Sequence, residues 1–221
     1  MTAKLTVIAL SLGMVAGLLI GLVNAQPAKP GKFGIKRVLR WVCTAYVWFF
    51  RGTPLFVQIL LVHFALMPSL IHPEHGLLMT GEAAGEFRQL HGAFFSGIVA
   101  LTLNAGAYIA EIVRAGILSI ARGQTQAAQS LGLNERDAMR YIVLPQALRR
   151  MVPPLVNEAI TLLKDSSLVS AIGLAELAMA ARTVAGAYSR YWEPYLAISL
   201  LYLIMTGILT VAAKRLEAKN H

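Results

Sequence analysis

The chain has 221 residues, of which 57% are hydrophobic and 14% charged, with a mean hydropathy of +0.61. A soluble domain carries about 25% charged residues, so this composition excludes an ordinary soluble protein. The formal net charge of +9 does not indicate a nucleic-acid binder, because the basic residues fall in short clusters between apolar runs, as topology signals do. No nucleic-acid partner is expected, and the lipid bilayer is.

Taken in chain order, Leu5 to Val23 is an apolar run preceded by Lys4. It is too long for the apolar core of a signal peptide, and Val23-Asn24-Ala25 makes a poor cleavage site. At about 1.5 Å per residue it spans a bilayer, so a retained helix is expected. Gln26 to Lys32 forms a loop rich in Pro, Gly and Lys. Ile35 to Phe50 approaches the membrane from a basic side. Arg51-Gly52-Thr53-Pro54 interrupts it, and Leu55 to Leu66 completes a second, broken span. Cys43, the single cysteine, excludes an intramolecular disulfide and reads as a packed small residue.

Ser69 to His91 reads as a polar loop, and Gly92 to Ile117 as a third span containing Asn104, Glu111 and Arg114. Leu118 to Arg150 is polar, too long for a turn, and reads as short amphipathic helices. Leu155 to Ile172 is a short, polar fourth span. Gly173 to Glu193 is a loop with helical character over Leu174 to Arg182, and Pro194 to Ala213 is the fifth span. The fold class is therefore an all-α polytopic membrane protein with about five transmembrane helices, in a single domain over 1–221 that contains a cytoplasmic loop at 118–150.

Lys and Arg set the orientation. The Pro-rich loop, the 118–150 stretch and the tail hold most of them, whereas the opposite side holds Lys4, Arg88, Arg182 and Arg190. The expectation is an N-terminus outside, a C-terminus in the cytoplasm and an odd number of spans, in which helices alone satisfy the backbone.

Ionisable residues inside a span cost about 2.5–3.5 kcal/mol on insertion scales and therefore face the bundle interior. Glu111 and Arg114 share a helix face, either as an ion pair that locks helices together or as part of a gate. Asn157, Glu158, Lys164 and Asp165 make the fourth span too polar for lipid, so it should line a central cavity. Candidate substrate contacts are Asn157, Glu158, Glu111 and Asn104. Lys164 and Asp165 read as a packing or gating pair, with Arg51 and Arg114 in similar roles. Arg51, at the helix break, should anchor to phosphate or cap helix carbonyls. The aromatic cluster Tyr188, Tyr191, Trp192 and Tyr195 reads as an interfacial belt. His63, His72, His75 and His91 give no metal-ligand spacing on one predicted helix, and no metal is assigned.

In the 118–150 stretch, Thr125 to Leu131 can form a short helix. Gly132 can end it in a left-handed cap, and Asn134 can cap a second helix with Asp137 in its first turn. Pro145 disfavours continuation. The result is a helix–turn–helix finger suited to a groove on a soluble partner.

This segment resembles a known family. Gln126-Ala127-Ala128, three residues, Gly132, nine residues, Ile142, one residue, Leu144-Pro145 is similar to the coupling-loop signature of ABC importer permeases. Gln126 stands where that family usually has Glu, keeping the hydrogen-bonding ability and losing the charge. Arg51-Gly52-Thr53-Pro54-Leu55, the run from Asn104 to Gly116, Leu163-Lys164-Asp165-Ser166-Ser167-Leu168 and the early Leu5-Thr6 narrow the resemblance to the polar amino-acid permeases for histidine, glutamine, glutamate or arginine. Many members carry a further segment before this Leu-Thr, expected here to be missing or very short.

The resemblance implies a type I ABC importer permease fold in the bacterial inner membrane, with Gln126, Ala127, Ala128, Gly132, Leu144 and Pro145 coupling to the ATPase. It also implies two ABC ATPase subunits, a second permease copy or paralogous permease, and an extracytoplasmic amino-acid-binding protein. The chain has no Gly-rich phosphate loop, so no catalytic residue and no cofactor are assigned to it; ATP and Mg belong on the partner ATPase. Two other classes compete. A scaffold subunit would use the same finger but need not place Asn157, Glu158, Lys164 and Asp165 in the bundle. An exporter half would extend its helices well into the cytoplasm.

Overall fold

A computed structural model of the protein describes residues 1–25 and 34–218. The expected Pro-rich loop at Gln26 to Lys32 and the tail residue Lys219 lie outside the described residues. The described chain is helical apart from short connections: α1 (Thr2–Ala25), α2 (Ile35–Gly52), α3 (Leu55–Leu70), α4 (Gly81–Leu118), α5 (Arg122–Ser130), α6 (Glu135–Ile172), α7 (Leu177–Tyr188) and α8 (Trp192–Ala218). Helices α1, α4 and α8 are each long and apolar enough to cross a membrane. Two bent pairs, α2 with α3 at 108° and α6 with α7 at 49°, bring the number of spans among the described residues to as many as five.

Helix α4 is the hub, and α1, α2, α3 and α6 all pack on it. The closest partnership is with α1. That helix is apolar all round, so its burial is decided by size: Leu5, Ala9, Gly13, Gly17 and Gly21, four residues apart, form the buried stripe. A Cβ at Gly17 would lie 2.6 Å from Ile109 Cβ, and one at Gly21 2.6 Å from Val113 Cβ. Small residues let backbones approach where lipid supplies no hydrophobic drive between helices.

Several boundaries differ from the expected ones. The expected loop at Ser69 to His91 is helical from Gly81, so the third span starts earlier than Gly92. Its 38 residues measure about 57 Å at about 1.5 Å per residue, against a hydrocarbon core of about 30 Å. The first turns, with Glu82, Glu86 and Arg88, therefore need no apolar pattern. The fourth span also starts before Leu155. Pro145 does not end a helix, because α6 runs on through a π turn at Ala138–Val143 and an α segment at Leu144–Asp165, closing in a 3-10 turn at Ser166–Ile172. Pro145 sits in the first turn of that α segment, directly after the π turn. The helix expected over Leu174 to Arg182 is Leu177–Tyr188, and the fifth span is Trp192–Ala218.

Helix α7 is capped by Glu176, which is 3% exposed. Its carboxylate accepts from the Met179 N–H at 2.7 Å and from the Tyr202 hydroxyl of α8 at 3.1 Å. One buried acid thus joins a helix start to the last span. Tyr188, Tyr191, Trp192 and Tyr195 are all exposed.

Candidate functional site

The site begins with a proline. In an unbroken helix the Phe50 carbonyl would accept from the N–H of residue 54, which is Pro54 and has none. Side chains take over. Gln58 Nε2 donates to Phe50 O at 2.9 Å, Thr53 O at 3.1 Å and Thr53 Oγ1 at 2.8 Å. Asn104 Nδ2, from α4, donates to Phe50 O at 3.2 Å and to Gln58 Oε1 at 2.9 Å. Both amides are buried. The 108° break is therefore closed by a satisfied polar network and pinned to the hub helix.

The break faces a cavity of about 410 Å³. Arg51, Thr53 and Leu55 come from the break, Asn104 and Tyr108 from α4, and Glu158, Thr161 and Asp165 from α6. The spacings explain the convergence. Asn104, Tyr108 and Glu111 recur at four and three residues, and Glu158, Thr161 and Asp165 at three and four, so each set occupies one helix face.

Electrostatically the walls differ. Arg51 lies over the Tyr108 ring, 5.4 Å from its centroid, and 3.8 Å from Glu111 Oε2. Glu111 is held by Arg114 in a two-pronged pair, Nε to Oε2 at 2.9 Å and Nη2 to Oε1 at 2.6 Å. Arg114 thus takes the short contacts and leaves Arg51 a long one. Glu158 and Asp165 place two carboxyl groups on the α6 wall. A guanidinium beside one wall and carboxyl groups on the other suit a ligand carrying both a carboxylate and an ammonium.

The sequence-derived candidates separate here. Glu158 and Asn104 line the cavity, although both Asn104 amide contacts serve the helix break. Glu111 is absent from the lining and joined to Arg51 and Arg114. Asn157 is exposed and also outside the lining. Lys164 is exposed while Asp165 lines the cavity, and no ion pair joins the two. Arg51 meets Tyr108 and Glu111 rather than a carbonyl among the described residues, whereas Arg150 Nη1 donates to Ser119 O at 2.7 Å and to Ser119 Oγ at 3.1 Å at the end of α4. Sequence reasoning missed Gln58, Thr53, Tyr108 and Thr161. Gln58 was legible as a lone amide in an apolar run four residues after Pro54.

At the other end of α4 the finger is built as the residues suggest. Helix α5 ends in a Schellman turn, with Gly132 at φ +89°. The Gly132 N–H donates to Gln129 O at 2.9 Å and the Leu133 N–H to Ala128 O at 3.1 Å. Asn134 Oδ1 then accepts from the Asp137 N–H at 2.9 Å and opens α6. Ala128 is buried against the base of α6, whereas Gln126, Ala127 and Pro145 are exposed and Leu144 is half-buried. At the tip, Leu131 is 86% exposed.

Comparison with known proteins gives a consistent picture. Residues 7–220 match the family of binding-protein-dependent transport system inner membrane components. The chain is 34% identical to the arginine transport system permease protein ArtQ of Bacillus subtilis (strain 168), over 99% of this chain and 88% of that one. It is 35% identical to the glutamine transport system permease protein GlnP of Escherichia coli (strain K12), over 98% of this chain and 90% of that one. Among solved structures it resembles an amino acid ABC transporter with histidines, with a TM-score of 0.80 and 35% identity over 99% of this chain and 90% of that chain. The MetNI methionine ABC transporter in an inward-facing conformation shares the fold, at a TM-score of 0.74 and 21% identity over 99% and 92% of the two chains. With its helices, finger and polar cavity so arranged, the chain belongs to the family of binding-protein-dependent transport system inner membrane components and has the type I ABC importer permease fold.

Proposed function

We propose that the chain moves a polar or charged amino acid across the inner membrane by alternating access, through the cavity between the Pro54 break and the Glu158 face. The observation that carries this reading is the charge arrangement of that cavity. Arg51 is placed to meet the substrate carboxylate, and Glu158, with Asp165 two turns on, to accept its ammonium. Thr53, Thr161 and Tyr108 supply neutral hydrogen-bonding groups between them. Asn104 serves the site by holding the helix break, and Glu111 and Arg114 by positioning Arg51. Asn157 is expected to meet substrate or the second permease copy from outside this lining.

The energy comes from elsewhere. The finger of residues 118–150, with Gln126, Ala127, Ala128, Gly132, Leu144 and Pro145, docks on an ABC ATPase subunit that carries ATP and Mg. Two such subunits, two permease chains (identical or paralogous) and an extracytoplasmic binding protein make the complex. ATP-driven closure draws the fingers together and opens the cavity outward, and hydrolysis resets it. The clusters of Lys and Arg favour a cytoplasmic C-terminus and finger, with the N-terminus outside.

The test is ATPase activity of the reconstituted complex with its binding protein, across a panel of amino acids. A polar or charged amino acid should stimulate it. Glu158→Gln should raise the half-saturating substrate concentration at least tenfold while the ATPase subunits stay bound. Unchanged substrate kinetics would remove Glu158 from the site, and no stimulation by any amino acid would sink the import reading.

A further inference from the structure

Between α3 and α4 the chain makes a compact turn at the end of α4 opposite the finger. Its backbone is closed by its own hydrogen bonds. The His72 N–H donates to Met79 O at 3.1 Å, the Gly76 N–H to His72 O at 3.3 Å, and the Gly81 N–H to Pro73 O at 2.8 Å. Ile71 and Met79 form a β-bridge beneath it. Only glycine fits at Gly76, where a Cβ would collide with Met79 O and His72 N. Pro73 removes another backbone freedom. The turn therefore holds a fixed shape with little help from side chains.

On that frame stand His72, Glu74 and His75. One ligand atom from each lies within 4.8 Å of the other two. The imidazole rings stack with centroids 3.7 Å apart and planes 27° from parallel. Helix spacing hides this cluster, because the donors come from a tight turn.

We propose that this turn binds a borderline divalent transition-metal ion such as Zn²⁺, through His72, Glu74 and His75. Two imidazoles and a carboxylate, with a fourth position left for water, form a donor set that such ions prefer over Mg²⁺ or Ca²⁺. With metal–nitrogen distances of about 2.0–2.1 Å, tetrahedral donors stand about 3.4 Å apart. Glu74 and His75 are exposed, and binding requires their side chains to turn inward to that spacing. His72 Nδ1 accepts from the Glu74 N–H at 3.2 Å, so its lone pair is unprotonated. The ion takes that lone pair in exchange for one long hydrogen bond, and the freed N–H, on an exposed residue, turns to water. One carboxylate against two positive charges leaves the bound site cationic.

The experiment uses the full chain purified in detergent without a polyhistidine tag. Zn²⁺ is titrated against a chromophoric chelator, and Co²⁺ is added separately to read ligand-field absorption. One Zn²⁺ should bind per chain. His72→Ala and His75→Ala should each weaken binding at least tenfold and abolish the Co²⁺ bands, and Glu74→Gln should weaken it less. His91→Ala, an exposed histidine outside the cluster, should bind as wild type. Saturating Zn²⁺ should raise the Tm of the wild type and not of His75→Ala, while their metal-free Tm values agree. Less than one equivalent bound by the wild type, or wild-type affinity in both His72→Ala and His75→Ala, overturns the proposal. So does an equal loss in His91→Ala.

Discussion

Replacing Gln58 by Met keeps length and apolar bulk but deletes the amide that closes the Pro54 break. Gln58 is 2% exposed, so water cannot take its place. The change removes the donations to Phe50 O at 2.9 Å and to Thr53 at 2.8 and 3.1 Å, together with the acceptor for Asn104 at 2.9 Å. Two amide hydrogens and one acceptor amount to about three hydrogen bonds. Each contributes about 0.6 kcal/mol between membrane helices and up to about 1.5 kcal/mol as a typical net hydrogen bond. The expected loss is about 2–4 kcal/mol, or roughly 30- to 800-fold in the folding equilibrium at about 1.4 kcal/mol per tenfold. Asn104→Leu removes two of the network's bonds and should cost about 1–3 kcal/mol. Because the two amides share one hydrogen bond and both serve Phe50 O, the double variant should cost about 0.5–1.5 kcal/mol less than the sum. Reversible unfolding in mixed micelles, followed by circular dichroism, measures all three. A Gln58→Met cost below about 0.5 kcal/mol, or strict additivity of the pair, would refute the account of the break.

Gly17→Ala drives a methyl against Ile109 and the Gly106 carbonyl and should destabilise by about 1–3 kcal/mol, seen as a lower Tm in detergent; a neutral result would mean α1 is free to shift. Gly132→Val forces a β-branched residue to φ +89° and should abolish substrate-stimulated ATPase activity, although the protein still inserts in the membrane; normal coupling would disprove the role of the turn. Glu176→Ala removes a helix cap and the Tyr202 contact together and should cost about 1–3 kcal/mol by the same micelle assay, whereas Glu176→Gln should recover part of it. Glu111→Gln weakens the hold on Arg114 and should lower amino-acid uptake at least tenfold in proteoliposomes without loss of the ATPase subunits; full uptake would reduce the Arg51–Glu111–Arg114 cluster to packing.

Much of the fold was legible because local rules and the final structure agree. Apolar length marked α1 and α8, and Pro54 marked the bend. Gly132 and Asn134 marked the finger turn down to its individual hydrogen bonds, since a left-handed glycine and an Asn cap are local events. Glu158 was legible as an inward-facing residue because a carboxylate in a span is costly unless it faces the interior. The failures have physical causes as well. Pro145 looked like a stop, but a π turn absorbed it, and π turns leave no residue signature. The first turns of α4 looked like a loop because a helix outside the hydrocarbon core needs no apolar stripe. Lys164 and Asp165 differ in exposure, one outward and one on the cavity lining, because neighbours on a helix face different ways.

By itself, then, the sequence determined the membrane class, the run of helices, the clustering of basic residues and the turn of the finger, because each depends on composition or on contacts a few residues apart. Only the tertiary structure decided what faces what. It placed the α1 glycines on Ile109 and Val113, set Asn104 and Gln58 to mend the helix at Pro54, brought Arg51 opposite Glu158, and gathered His72, Glu74 and His75 on one turn. In an apolar helix every face looks alike to the sequence, so only packing between helices, through shape and the need to satisfy buried polar groups, selects the face that turns inward.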